Sequence, residues 1–251
     1  MKIVVVGGCF PFQDFIEPAR LYNQTLKNKL SHTGYSVDVV PPRYERIKNT
    51  LSKIEAENGN GKIDSLIFHL RTEPFMHLSK IWYRYENLNG KKAFSIHLAG
   101  FSKLYPELYD IPVPDRRILR TFEYLKESII YHLLREFNYF LGSLFGNQRL
   151  AFALYKDFVL DLKAFCKEQS IQLIITGPIS RPFSRFENAL SQKISTRFEQ
   201  FLDENEIEFI PFLGEKTRKS ESMFFPNGIH VSEAGHDEIA EKLSFSLSLK
   251  V

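Results

Sequence analysis

Five short runs of apolar, largely β-branched residues punctuate the chain: residues 2–7 (KIVVVG), 35–40 (YSVDVV), 65–70 (SLIFHL), 171–176 (IQLIIT) and 207–212 (IEFIPF). Each is followed by turn-forming or polar residues, and stretches with helical spacing, such as residues 17–30 and 183–202, lie between them. Strands that alternate with helices predict a parallel sheet covered on both faces, an α/β fold in three layers (α/β/α) with five parallel strands. The unbroken apolar character of the first, third and fourth runs suits central strands, whereas Pro211 in the fifth suits an edge.

The interval from residue 70 to residue 171 is far longer than one crossover needs. Within it, residues 118–145 and 150–165 both have amphipathic helical spacing. Ile118, Phe122, Leu125, Ile129, Leu133, Phe137, Phe140 and Leu144 recur every three or four residues, and Leu119, Ile130, Leu134, Leu141 and Phe145 widen the stripe. So broad a stripe predicts extra core or, as the other use of such a surface, a homo-oligomer interface through the 118–145 helix. Residues 101–117, with Pro106, Pro112 and Pro114, predict an irregular loop near the mouth of any site. No linker or repeat divides the sequence, so residues 1–251 are expected to form one domain with a loop and helical insertion near residues 99–147.

Composition narrows the function classes. With 33 Lys plus Arg against 30 Asp plus Glu, interleaved, the net charge of +3 leaves no electrostatic footprint for a nucleic-acid duplex. No apolar run has the length of a membrane span, and the N-terminus lacks a cleavable export signal, so a cytoplasmic protein is expected. The two cysteines are too far apart for a disulfide scaffold or a zinc site. No metal site and no cofactor is predicted: the glycine pattern has neither the dinucleotide nor the triphosphate signature.

Ligands of an open parallel sheet collect outside the carboxyl ends of its strands, so the residues that follow each run are the candidates. After the first run comes Gly7-Gly8-Cys9-Phe10-Pro11. The glycines permit a tight turn, and a helix N-terminus close by favours a thiolate, which makes Cys9 either a nucleophile or a small buried apolar residue. Cys166 continues the apolar face Leu154, Phe158, Leu162, Phe165 and is expected in the core. Near the C-terminus, Asn227 and His230 stand three residues apart ahead of a helix through Ile239, Ala240, Leu243 and Leu247, so an amide oxygen can orient an imidazole there. His236 reads as a surface or capping residue and Ser232 as a helix N-cap. His69 and His97, within apolar runs, are expected to be buried and hydrogen-bonded, and Trp82 with Tyr83 and Tyr85 reads as packing or a pocket wall. Arg43, Arg71, Arg181 and Arg185 follow strands two, three and four, which suggests an anionic ligand held by guanidinium groups, or else structural ion pairing, with Glu73 as one partner.

Residues 227–236 (NGIHVSEAGH), the strand order and the long helical region before strand four together resemble the SGNH (GDSL-type) hydrolases across nearly the whole chain. The resemblance implies a flavodoxin-like sheet and acyl chemistry on a small-molecule ester or thioester. It also implies a nucleophile at Cys9, where the family has Ser in Gly-Asp-Ser, and a base at His230. Here Glu73 falls where the family has an oxyanion-binding Asn, no Gly follows strand two (Pro41-Pro42-Arg43-Tyr44), and Asn227 replaces the Asp of the last block. A Glu73 carboxylate repels an oxyanion unless it is protonated or turned toward an arginine, which leaves the backbone N–H of Cys9, with Gly8 in the same turn, to stabilise the oxyanion. Two functions fit these residues: a Cys9-His230-Asn227 acyl hydrolase or acyltransferase, or a catalytically inactive SGNH-like domain that binds a small, anionic ligand or a protein partner.

Overall fold

The computed structural model describes residues 2–6, 16–31, 36–39, 47–72, 82–86, 92–96, 129–145, 148–182, 184–211, 223–225, 228 and 230–248. The five predicted strands are present as β1 (Lys2–Val6), β2 (Ser36–Val39), β3 (Ser65–His69), β6 (Gln172–Thr176) and β7 (Glu208–Ile210). They form one parallel five-stranded sheet in the order β2-β1-β3-β6-β7. The three unbroken apolar runs are the three inner strands. At the edge, β7 stops one residue before Pro211, which lacks the N–H needed to extend a ladder.

Side chains alternate across the sheet, and each face has its own core. On one face Val4, Val6, Leu66, Phe68 and Ile175 meet Ile54 of α2 (Ile47–Gly59), Tyr155, Phe158 and Leu162 of α4 (Gln148–Glu168), and Ile194, Phe198 and Leu202 of α5 (Arg185–Glu204). On the other, Ile3, Val5, Ile67 and Ile174 meet Tyr22, Leu26 and Leu30 of α1 (Tyr22–Ser31) and Ile239, Leu243 and Leu247 of α6 (Glu233–Ser248). The result is the expected α/β/α sandwich. Cys166 is 2% exposed within the first core, as its helical phase predicts.

The interval between β3 and β6 holds two features with different outcomes. An antiparallel pair, β4 (Trp82–Glu86) and β5 (Lys92–Ile96), forms a separate two-stranded sheet that was not anticipated. Helix α3 (Ile129–Phe145) falls within the predicted amphipathic stretch, yet Leu133, Phe137 and Leu144 of its apolar stripe are exposed. At these three residues the stripe is not extra core. The helix instead turns Glu136, Tyr139 and Phe140 toward α5: Phe140 packs on Phe186 with ring centroids 5.1 Å apart, and the Phe186 N–H donates to Glu136 Oε2 over 2.9 Å. That carboxylate caps the N-terminus of α5, where Ser184 makes no side-chain cap.

Helices α4 and α5 end in the same way. Ser170 and Glu206 adopt positive φ (55° and 53°), and the next residue reaches back to the last turn, Ile171 N–H to Cys166 O (2.7 Å) and Ile207 N–H to Leu202 O (2.9 Å). Bonds that span fewer residues, from Ser170 N–H to Lys167 O and from Glu206 N–H to Asp203 O, complete a Schellman cap in each case. Both caps lead directly into strands, β6 and β7.

Candidate active site at the carboxyl edge of the sheet

Arg71 follows β3, and Arg181 follows the neighbouring β6, so both stand on the carboxyl edge of the sheet, where such folds bind ligands. Arg181 is buried there. Its Nε lies 3.3 Å from Oε1 of Glu187, a residue with no exposure in the first turn of α5. The same Oε1 accepts a hydrogen bond from Thr72 Oγ1 (3.0 Å), which is 3.1 Å from the Tyr139 hydroxyl of α3. The charge of Arg181 is thus balanced inside the protein by a glutamate, Glu187; the pairing suggested for Glu73 lies outside the described residues. Arg185, the first residue of α5, is exposed.

The segment before α6 holds His230, 6% exposed. It is closed by backbone bonds from Phe225 N–H to His230 O (2.9 Å), Gly228 N–H to Phe225 O (2.7 Å) and Ser232 N–H to Met223 O (2.8 Å), with Phe224 and Val231 paired across it. Gly228 has φ +61°, a conformation that favours glycine and accounts for a glycine at this turn. Ser232 caps α6 as expected, with its Oγ accepting from the Gly235 N–H at 3.2 Å. A methyl group on Gly235 would overlap the Met223 carbonyl oxygen and lie 2.5 Å from Val231 Cγ1. Gly235→Ala is therefore expected to lower the unfolding free energy by about 1–3 kcal/mol, because the obstruction includes backbone. Urea unfolding followed by circular dichroism measures this, and a change within about 0.5 kcal/mol would show that the α6 turn yields freely.

Behind this edge lies a chain of buried polar side chains that the sequence did not reveal as a unit. His69, the last residue of β3, is 2.7 Å from the Tyr22 hydroxyl through Nε2 and 2.6 Å from Thr176 Oγ1 through Nδ1. Tyr22 packs edge-on against His69 (centroids 5.5 Å apart, 88°) and stacks on His236 (5.9 Å, 10°). His236 Nδ1 accepts the Tyr22 N–H at 3.2 Å. The expectation that His69 is buried and hydrogen-bonded holds. The expectation that His236 is a surface or capping residue of its own helix does not: it is fully buried and serves the N-terminus of α1. Burial pushes His69 down to about 3, helped by the nearby Arg71 charge, and pushes His236 down to about 4. Burial also holds the Tyr22 phenol well above its usual range.

Of the other candidates, Gly8, Cys9, Arg43, Glu73, His97 and Asn227 lie outside the described residues. Among the described residues no group of three or more His, Cys, Asp or Glu side chains is arranged to hold a metal ion. No helix of the described residues is long and apolar enough to cross a membrane.

No protein-family model matches the sequence, and no curated protein does. Solved structures do match over the whole chain. A protein described as lipolytic and of the G-D-S-L family from Desulfitobacterium hafniense superposes with a TM-score of 0.54 at 11% identity, covering 97% of this chain and 98% of that one. An acetyl xylan esterase gives 0.54 at 11% identity, covering 98% and 100%. The lipase/acylhydrolase from Enterococcus faecalis gives 0.52 at 10% identity, covering 99% and 96%. At such identities the likeness is one of architecture. In its strand order, its layers and its chain-long superposition on these structures, the protein has the fold of the SGNH (GDSL-type) hydrolases.

Proposed function

We propose that the protein is an SGNH-type acyl hydrolase or acyltransferase in which Cys9 is the nucleophile, His230 the general base and Asn227 the residue that orients His230. The observation that supports this reading most is the conjunction of the SGNH fold with a histidine, His230, held in a buried turn directly ahead of the final helix. Cys9 follows the end of β1 by three residues, and β1 lies beside β3 at the centre of the sheet. A thiol needs less activation than a hydroxyl, and an amide in place of a carboxylate can still orient an imidazole, as in Cys-His-Asn triads.

In the first half-reaction His230 takes the thiol proton, and Cys9 Sγ attacks the acyl carbon. The tetrahedral oxyanion, stabilised by backbone N–H groups of the Gly8-Cys9 turn, collapses to a thioester, and the leaving alkoxide or thiolate takes the proton from His230. In the second, His230 removes a proton from water, or from an acceptor alcohol or amine, which attacks the thioester and releases Cys9 as the thiol. A preference for an anionic substrate rests on Arg43 and Arg71, because Arg181 is already matched by Glu187. Glu73 is accommodated in its protonated form or turned toward one of these arginines.

The test is intact mass together with product release after incubation with short- and long-chain acyl esters and thioesters. The wild type should gain the mass of the acyl group transiently, His230→Ala should keep it, and Cys9→Ala should not acquire it. Cys166 is an internal control: burial pushes its thiol up to about 12, so it stays unmodified in the folded protein. No adduct and no turnover with any acyl donor would make the domain a binding module instead.

A further inference from the structure

We propose that His236 is the joint that fixes the N-terminus of α1 against the first turn of α6, and that protonation of its ring opens this joint. Tyr22 is the first residue of α1, so its N–H has no partner within the helix, and the residue before it, Leu21, has no side chain that caps. His236 Nδ1 supplies the missing acceptor from a helix more than two hundred positions away in sequence (3.2 Å), and its ring lies flat on the Tyr22 ring. An acceptor at Nδ1 requires the neutral ring with its proton on Nε2. That Nε2 is buried and, among the described residues, has no hydrogen-bond partner. Protonation would therefore set an N–H against an N–H at one nitrogen and leave a charged donor unanswered at the other.

The surroundings oppose the cation further. The ring sits at the N-terminus of α1 and in the first turn of α6, two helix ends that both carry partial positive charge. Among the described residues the titratable groups facing it are Tyr22 from α1 and, behind Tyr22, His69 from β3. On its own helix Glu233 and Asp237 are exposed and directed elsewhere, Glu233 to Arg20 (3.9 Å) and Asp237 to Thr25 (3.4 Å). From the segment before α6, Met223, Phe224 and Val231 join Tyr22 and Ile239 in one buried apolar cluster. Among the described residues no carboxylate pairs with His236, in keeping with a ring that stays neutral down to about pH 4.

The joint ties together two stretches of chain that matter to the site. The segment containing Cys9 leads into α1, and the turn containing His230 leads into α6. His236 is thus a positioning residue for both, a consequence that rests on the reading of Cys9 and His230 given above, whereas the joint itself does not.

Two measurements separate these statements. Amide hydrogen exchange at Tyr22, corrected for intrinsic rates and compared with Ile67 in β3, reports the joint alone. In the wild type Tyr22 protection should be constant above about pH 6.5, where the ring is neutral in both the closed and the open joint, and fall by up to about tenfold per pH unit from there toward pH 4, while Ile67 stays protected. His236→Asn, whose amide oxygen replaces Nδ1 as acceptor, should keep Tyr22 protected without the pH dependence, and His236→Ala should lose the protection at every pH. Unprotected Tyr22 in the wild type at neutral pH, or protection that tracks Ile67 throughout, overturns the joint. The second measurement is the alkylation rate of Cys9 by iodoacetamide near neutral pH. It should fall in His236→Ala, recover in His236→Asn, and fall in His230→Ala. A fall in His230→Ala with none in His236→Ala overturns the positioning role. No change in His230→Ala instead counts against the catalytic reading and leaves the exchange result to decide the joint.

Discussion

Glu187→Ala is expected to lower the unfolding free energy by about 3–5 kcal/mol, because truncation leaves the buried Arg181 guanidinium without its counter-charge. The wild-type carboxylate has no exposure, faces Arg181 Nε at 3.3 Å and accepts from Thr72 Oγ1 at 3.0 Å, so truncation also removes an acceptor from the hydroxyl that bonds Tyr139 of α3. Glu187→Gln keeps an acceptor for Thr72 and should cost less. The pairing is expected to be worth much less than its disruption. In the double variant Arg181→Met/Glu187→Leu both charges and their desolvation disappear together, and most of the lost stability should return. Urea unfolding of the wild type, Arg181→Met, Glu187→Leu and the double variant closes a double-mutant cycle. If the two single variants each lost stability and the double variant lost their sum, the residues would not act as a pair.

The second large effect is on acid stability. In the unfolded chain His69 and His236 bind protons near pH 6.5, but in the folded protein His69 stays neutral down to about 3 and His236 down to about 4. As pH falls below 6.5 the unfolded state therefore takes up protons that the folded state refuses. The stabilisation is complete above pH 6.5 and is lost as pH falls toward the folded values. Each histidine contributes a slope of about 1.4 kcal/mol per pH unit, nearly 3 for the pair where their windows overlap. Between about pH 6.5 and 5.5 unperturbed carboxylates scarcely titrate, so unfolding free energies there isolate the imidazoles. The wild type should lose stability across this interval, and His69→Asn/His236→Asn should be nearly flat. A wild-type profile as flat as that of the variant would show that neither imidazole is held neutral by the fold.

The sheet was legible because buried parallel strands carry continuous apolar runs, and all five appear within a residue or two of their expected limits. The antiparallel pair β4–β5 is less legible because its runs, WYRYE and KAFSI, mix charged with apolar residues, and its signal is the Asn89-Gly90 pair between them, a hairpin dipeptide. For α3 the pattern identified a helix but not its neighbour: periodicity shows which residues share a face, and Leu133, Phe137 and Leu144 share one that points outward. The two buried networks left traces that composition hid. His236 continues the buried stripe Ala240, Leu243, Leu247 one turn toward the N-terminus, and Glu187 stands at the head of the stripe Ser191, Ile194, Phe198, Leu202. A polar residue in phase with an apolar stripe points inward, and its partner, Tyr22 or Arg181, comes from a part of the chain that no local pattern connects to it.

The paired Schellman caps imply that the protein holds an unused reserve of robustness. Ser170 and Glu206 occupy a left-handed conformation that costs a side-chain-bearing residue about 1 kcal/mol relative to glycine, part of which glycine gives back through its freer unfolded chain. Both residues close αβ connections that lead into β6 and β7 at the amino ends of those strands, at the opposite end of the sheet from Arg71 and Arg181. Tolerance to heat and substitution can therefore be adjusted at the floor of the sandwich without touching the carboxyl edge, which makes these two positions the natural place to strengthen the scaffold.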